Sequence, residues 1–195
     1  MIIWMNTPQR HFRPFLLLDR DGVINEDRPD YIKHRREFQF YPDALQALRW
    51  LREHHILVVL ISNQSGLNRG IISWQDFWDL HTWMLRGIQN SGGDIVGACY
   101  CPHRPEEGCS CRKPSPGMIK AASEIFQFPL AETCFIGDRD SDLFAANRAG
   151  CRGVNLDRSG GSIDHPPLVP GADPATESYS SLMDAVLGLS ERWNV

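Results

Sequence analysis

Four bulky apolar residues at positions 15–18 lead directly into the acidic sequence Asp-Arg-Asp-Gly at 19–22. A short apolar run that stops at turn residues predicts a strand buried on both faces, which belongs in the middle of a parallel sheet. Ligands of open α/β sheets bind at the carboxyl ends of the strands. Because residues i and i+2 of a strand project to the same side, we expect Asp19 and Asp21 to converge on one small volume. Their mutual repulsion there predicts a metal ion or an acid/base pair.

The remainder of the chain alternates further apolar runs with amphipathic segments. The predicted strands cover 56–61, 95–100, 133–136 and 152–156, with a small edge strand at 175–179. The predicted helices cover 42–54, 73–92, 116–126 (Ser115 as N-cap and Pro116 in the first turn), about 140–150, and 182–189. This alternation predicts an α/β fold with a doubly wound parallel sheet. We expect irregular segments at 24–41 and 157–173.

Length and charge limit the functional classes. A chain of 195 residues with 42% apolar content is long enough for one well-buried core, so we expect a single domain over 1–195. The net charge of −4 argues against a general nucleic-acid or membrane-surface binder. No apolar run is long enough to span a bilayer, and polar residues interrupt the first 14 positions, so no signal-peptide pattern is present. We therefore expect a cytoplasmic monomer.

The polar residues that follow the predicted strands match the requirements of phosphate-ester cleavage. That reaction needs a nucleophile, a proton donor for the leaving oxygen and positive charge near the phosphoryl group. Asp19 can attack phosphorus and Asp21 can protonate the leaving group. Asp138 supplies another carboxylate for Mg²⁺, a cation that prefers oxygen ligands. Ser62 can bind phosphoryl oxygens, and Lys113 supplies a fixed positive charge.

Four ordered motifs carry a family resemblance. They are D-x-D-G-V at 19–23, the serine after the second long strand, the lysine of C-R-K-P, and G-D-x-x-x-D at 137–142. In this order, over roughly residues 15–156, they resemble the motifs of the haloacid dehalogenase superfamily of phosphatases. The resemblance implies a Rossmann-like core, with Asp19 as nucleophile and Asp21 as acid/base whose carbonyl also meets Mg²⁺. It also implies that Asp138 is a metal ligand, with Asp142 in support. The intervals between motifs are too short for a large cap domain, which predicts an open, capless site.

Longer stretches are similar to two groups within that superfamily. The sequences L-D-R-D-G-V-I-N and S-N-Q-S-G-x-x-R-G resemble the D-glycero-D-manno-heptose 1,7-bisphosphate phosphatases and the related histidinol-phosphate phosphatases. The five-residue spacer between His103 and Cys109 resembles the histidinol group, whereas residues 65–70 resemble the heptose group. A bisphosphate has a second anion to neutralise, which favours the heptose substrate. The predicted substrate-binding residues are Asn63, Arg69, Arg112 and Lys33, the last in a loop whose other basic residues, Arg28 among them, are further candidates.

A cluster of soft ligands predicts a second metal. Cys101, His103, Cys109 and Cys111 supply three thiolates and one imidazole, which is enough for a closed tetrahedral zinc site with no position left for water. We therefore expect a structural Zn²⁺ in a loop at about 101–111, where it would place Arg112 and the following lysine at the active edge.

A different class is a nucleic-acid module built on this loop, as in related polynucleotide phosphatases. Such a protein should carry a basic groove, and the acidic net charge argues against one. The partner that we predict is a small phosphorylated sugar.

Overall fold

The computed structural model describes residues 1–6, 14–159 and 177–193. These residues contain a seven-stranded sheet. Its strands are β1 (Ile2–Met5), β2 (Phe15–Leu18), β3 (Leu57–Asn63), β4 (Gly97–Cys101), β5 (Cys134–Gly137), β6 (Arg152–Leu156) and β7 (Ser178–Tyr179). They are ordered β1-β4-β3-β2-β5-β6-β7, and every neighbouring pair is parallel except β1 and β4. The predicted doubly wound α/β fold is confirmed.

Helices cover both faces of this sheet. They are α1 (Pro42–Glu53), α2 (Trp74–Asn90), α3 (Gly117–Phe126), α4 (Asp140–Ala149) and α5 (Leu182–Leu189). Helices α1, α2 and α5 bury their apolar residues in one core cluster, and α3 and α4 bury theirs in a second cluster on the opposite face. Among the described residues, no helix has both the length and the apolar composition to cross a membrane.

The central strand β2 contributes side chains to both core clusters. Leu16 and Leu18 belong to the first cluster and Leu17 to the second, and all three side chains are fully buried. From β2 the sheet grows through β3 and β4 on one side and through β5 and β6 on the other. The carboxyl end of β2 is therefore a topological switch point, where open α/β sheets form their ligand-binding crevice.

Two local predictions differ from the structure. β1 was not predicted; it is a short antiparallel edge strand with alternating half-buried and exposed residues, too brief to stand out as an apolar run. The predicted cap at Ser115 is wrong, since α3 begins at Gly117 with Pro116 as its N-cap. The Ser115 N–H instead donates to the Arg112 carbonyl at 2.8 Å, which closes a turn before the helix. The predicted edge strand begins at Ser178, and positions 160–176 of the predicted tail lie outside the described residues.

Candidate active site

A cavity of about 360 Å³ opens at the carboxyl edge of the sheet around the end of β2. Most of the predicted catalytic and phosphate-binding side chains line it, together with residues of the 24–41 loop. The lining residues are Asp19, Arg20, Asp21, Asp27, Arg28, Pro29, Tyr31, Ile32, Ser62, Asn63, Gln64, Ser65, Arg112, Lys113, Arg139, Ser141 and Asp142. The convergence of Asp19 and Asp21 on one volume is therefore present in the structure.

Lys113 is the electrostatic centre of this cavity. Its Nζ lies 2.9 Å from Asp19 Oδ2 and 2.6 Å from Asp142 Oδ1, and it donates to the Ile61 carbonyl at 2.9 Å. Burial alone would lower the pKa of Lys113, but the two carboxylates outweigh it and raise that pKa, so the ammonium group stays charged. Burial raises the pKa of Asp19 to about 6 despite the attraction of Lys113, with the charge of Asp142 adding to the rise. Asp19 is therefore mostly ionised at neutral pH.

Asp21 has a separate set of partners. The Arg20 guanidinium holds both carboxylate oxygens, with Nη2 at 3.0 and 2.8 Å. Asn25 Nδ2 donates to Oδ1 at 2.9 Å and Gln64 Nε2 donates to Oδ2 at 2.8 Å. Burial would raise the pKa of Asp21, but Arg20 and these hydrogen bonds lower it. The predicted repulsion between the two aspartates is thus relieved by a separate cation for each, and the role of Arg20 was not predicted.

Asp138 follows β5 and faces the turn that carries Asp21. Gly22 in that turn has φ +82°, and a Cβ there would lie 2.1 Å from Asp138 Oδ2, so only glycine permits this close approach. Burial, followed by the charges of Asp19 and Asp142, raises the pKa of Asp138 to about 7. Its buried Oδ1 has no hydrogen-bond partner among the described residues. An unpaired buried carboxylate oxygen beside Asp19 fits a hard cation such as Mg²⁺.

Asp142 lies close to both of these carboxylates. Ligand oxygens of Asp19, Asp138 and Asp142 lie within 4.8 Å of one another. Asp142, however, already binds Lys113 and accepts from the Arg139 backbone N–H at 3.1 Å, which caps α4. This arrangement suits the supporting position predicted for Asp142 better than a direct ligand position.

Ser62 and Asn63 end β3 at the same edge. The buried Ser62 hydroxyl accepts from Gln64 Nε2 at 3.2 Å. The Asn63 side chain makes two hydrogen bonds of 3.1 Å with the backbone of Lys113. Asn63 Nδ2 donates to the Lys113 carbonyl, and the Lys113 N–H donates to Asn63 Oδ1. Asn63 therefore fastens the segment that carries the active-site lysine to the end of β3, and its contact with substrate stays a prediction.

The predicted substrate-binding cations lie in different places. Arg112 lines the cavity, with Nη1 donating to the His103 carbonyl at 3.1 Å. Lys33 and Arg69 are not among the lining residues. Lys33 Nζ lies 2.8 Å from Asp30 Oδ2. Arg69 Nη2 lies 4.0 Å from Glu106 Oε2 in the cysteine loop, the name used below for residues 101–111. Arg28 and Arg139 line the cavity instead; Arg139 directly follows the aspartate of the G-D motif, and this adjacency was its only sequence signal.

The four predicted zinc ligands converge. The three sulfur atoms of Cys101, Cys109 and Cys111 lie 3.5–3.6 Å apart, and His103 Nδ1 lies 3.4 and 3.3 Å from Cys101 and Cys111. All six cysteines are free thiols. A tetrahedron with Zn–S bonds of about 2.3 Å has edges of about 3.8 Å, so the donor set and its spacing fit Zn²⁺. Gly117 N–H donates to the Ser110 carbonyl at 3.1 Å, which ties this loop to α3.

Comparison with known proteins places the chain. A family model described as HAD-hydrolase-like matches residues 110–162. D-glycero-beta-D-manno-heptose-1,7-bisphosphate 7-phosphatase from Pseudomonas putida is 40% identical over 139 residues, 71% of this chain and 79% of that protein. The Yersinia pestis enzyme of the same name is 33% identical over 187 residues, 92% of this chain and 97% of that protein. The chain belongs to the haloacid dehalogenase-like hydrolases. Within them it belongs to the branch that contains these phosphatases.

A solved structure agrees over nearly the whole chain. The D,D-heptose 1,7-bisphosphate phosphatase from B. bronchiseptica, complexed with magnesium and phosphate, superimposes with a TM-score of 0.81 and 32% identity. The alignment covers 91% of this chain and 98% of that chain. The resemblance in the sequence motifs is thereby confirmed at the level of the fold.

Proposed function

We propose that this protein removes the 7-phosphate of D-glycero-β-D-manno-heptose 1,7-bisphosphate through an aspartyl-phosphate intermediate. The observation that carries the chemistry is the buried Asp19 carboxylate, held 2.9 Å from the Lys113 ammonium at the cavity. The names and the 33–40% identity of the relatives support the substrate. Heptose precursor synthesis is the metabolic setting that this substrate implies.

The chain's own groups account for both halves of the reaction. Asp19 attacks phosphorus and the bond from phosphorus to the substrate oxygen breaks. Asp21, which Arg20 and its hydrogen bonds keep ionised in the free protein, takes up the proton that enters with the phosphate monoanion and passes it to the departing alkoxide. Asp21 then takes a proton from water as the water oxygen attacks the aspartyl-phosphate, which releases inorganic phosphate and restores Asp19. Lys113 and Ser62 lie at the same edge and can hold the phosphoryl oxygens throughout.

Two metals complete the proposal. Mg²⁺, when held by Asp19, Asp138 and the Asp21 carbonyl, would neutralise phosphoryl charge. A structural Zn²⁺ on Cys101, His103 and the two cysteines at 109 and 111 would keep Arg112 and Lys113 in place.

The short spacer between His103 and Cys109 favours a second candidate, histidinol phosphate. The test is a side-by-side comparison of kcat/KM on the α and β anomers of the heptose bisphosphate and on histidinol phosphate, with Asp19→Asn protein prepared in parallel as a blank. We expect the heptose bisphosphate to be preferred by at least about tenfold, which corresponds to about 1.4 kcal/mol of transition-state binding. A preference for histidinol phosphate would overturn the substrate assignment.

A further inference from the structure

We propose that Arg20 and Gln64 are positioning residues, a buried clamp that fixes the Asp21 carboxylate for proton transfer and links it to Asp19 and Ser62. The proposal rests on the proposed phosphatase function, in which Asp21 is the acid/base group. Neither residue is required to touch substrate. Both are almost completely buried, with 3% of each exposed.

Arg20 contacts both carboxylates of the D-x-D motif. Its backbone N–H donates to Asp19 Oδ1 at 2.7 Å. Its side chain turns towards the other carboxylate, with Nε 3.2 Å from both oxygens of Asp21 and Nη2 at 3.0 and 2.8 Å. A planar guanidinium that contacts both oxygens fixes the plane of a carboxylate, which a point charge such as a lysine ammonium does not. One residue thus orients both groups of the predicted reaction.

Gln64 closes the arrangement into a ring. Its Oε1 accepts from Arg20 Nη2 at 3.0 Å, and its Nε2 donates to Asp21 Oδ2 at 2.8 Å. The same Nε2 lies 3.2 Å from Ser62 Oγ, and the Gln64 backbone N–H donates to the Cys101 carbonyl at 2.7 Å. The clamp therefore joins the acid/base residue that follows β2 to the predicted phosphate-binding residue of β3.

This arrangement matters because proton transfer depends steeply on distance and orientation. A general acid must come within about 2.6–3.2 Å of the oxygen that it protonates. Releasing the clamp should therefore slow the steps in which Asp21 moves a proton and leave phosphate binding by Lys113 and Ser62 largely intact. Phosphoryl transfer to Asp19 from esters with good leaving groups, which depart without protonation, should be nearly unaffected. Hydrolysis of the aspartyl-phosphate is common to all substrates and does not enter kcat/KM.

The test measures kcat and KM of Arg20→Lys on p-nitrophenyl phosphate and on simple alkyl phosphates, with Mg²⁺ present. We expect kcat/KM to fall by about 10–100-fold on the alkyl phosphates and by less than about threefold on p-nitrophenyl phosphate, since only the former need the proton in the step that releases the leaving group. The matched control is Arg152→Lys. Arg152 also pairs with a carboxylate, with Nη2 2.6 Å from Glu177 Oε1, outside the cavity lining. Its replacement should alter all substrates by the same factor. An Arg20→Lys loss that is equal on all substrates, or absent, would overturn the proposal.

A double variant separates positioning from folding. If Arg20 acts through Asp21, adding Arg20→Lys to Asp21→Asn should cost less than about twofold in kcat on alkyl phosphates, because coupled residues are not additive. Losses that multiply would mean that Arg20 acts independently of Asp21.

Gln64→Met, which leaves the buried Arg20–Asp21 pair intact, repeats the leaving-group test if Arg20→Lys fails to fold. Equal losses on all substrates in this variant would likewise overturn the proposal. These substrates are simple monophosphates, so the leaving-group test does not depend on the heptose substrate. Its result can be interpreted even if that substrate assignment fails.

Discussion

The acidic cavity and the cysteine loop differ in which parts of the chain supply and balance their metal-binding side chains. In the cavity, Asp19 and Asp142 share Lys113, and Asp21 pairs with Arg20, so protein cations already balance most of the buried carboxylates. These residues come from distant parts of the sequence and sit at ends of buried strands or helices. In the loop, all four donors fall within 101–111, and residues 105–108 are exposed.

This difference predicts that a metal ion would have a different role at each of the two sites. The sheet places the carboxylates, so we expect that edge to keep its shape when the cation leaves. The loop has little core of its own, and its order should depend on the metal ion that we propose for its four donors. The predictions below test that contrast, from the largest expected effect to the smallest.

Asp19→Asn should abolish catalysis and leave the fold unchanged. A neutral amide is a poor nucleophile, so we expect turnover below about 0.1% of wild type. The fold should persist, because Lys113 keeps Asp142 and the Ile61 carbonyl as partners. Steady-state phosphate release and circular dichroism measure the two effects. Turnover above a few per cent would remove Asp19 from the nucleophilic role.

Asp21→Asn should cost less and should depend on the substrate. General acid catalysis contributes about 10²–10⁴-fold, so kcat on sugar phosphates should fall by that factor. The loss in kcat/KM, which reports the step that releases the leaving group, should shrink for esters with better leaving groups. A leaving-group series measured on both proteins decides the matter, and an equal loss throughout would exclude Asp21 as the acid.

Cys109→Ser should loosen the loop and leave the sheet folded. Serine is a poor zinc ligand, so the ion is held less tightly and Arg112 loses its placement, which should raise KM about threefold to tenfold. Hydrogen exchange should quicken in residues 102–112 and stay unchanged in β2 and β5. The matched control is Cys151→Ser, which removes a buried thiol outside the loop. Wild-type protein without about one zinc per chain would contradict the assignment.

Asp138→Asn should stabilise the metal-free protein above neutral pH. The pKa of Asp138 is raised to about 7, so its contribution to stability is present at low pH and is lost as pH rises through that value. Asparagine avoids this loss, and we expect Tm at pH 8 to rise by about 2–6 °C, with a smaller gain at pH 5. Added Mg²⁺ should raise Tm of the wild type only. The exposed Asp79→Asn is the control, and an equal Tm change in both variants would refute the burial argument.

Predictions succeeded where the sequence concentrates its signal in a short stretch. The apolar run before Asp19 specified β2, and the spacing of Cys101 to Cys111 specified a cluster that the structure brings together. The substrate contacts of Lys33 and Arg69 stay predictions. Both residues are paired with acids outside the cavity lining, whereas Arg139, which the sequence analysis did not select, lines the cavity.

The sequence by itself determined the family and the strand that precedes Asp19, and it predicts the identity of the reacting groups, because hydrophobic periodicity and short motifs are local properties. Tertiary structure decided which charge neutralises which. The contact between Arg20 and Gln64 depends on β2 and β3 being neighbours, and it joins positions 44 residues apart. Burial raises the free-energy cost of an unpaired carboxylate, so each buried carboxylate needs a cation from within the fold.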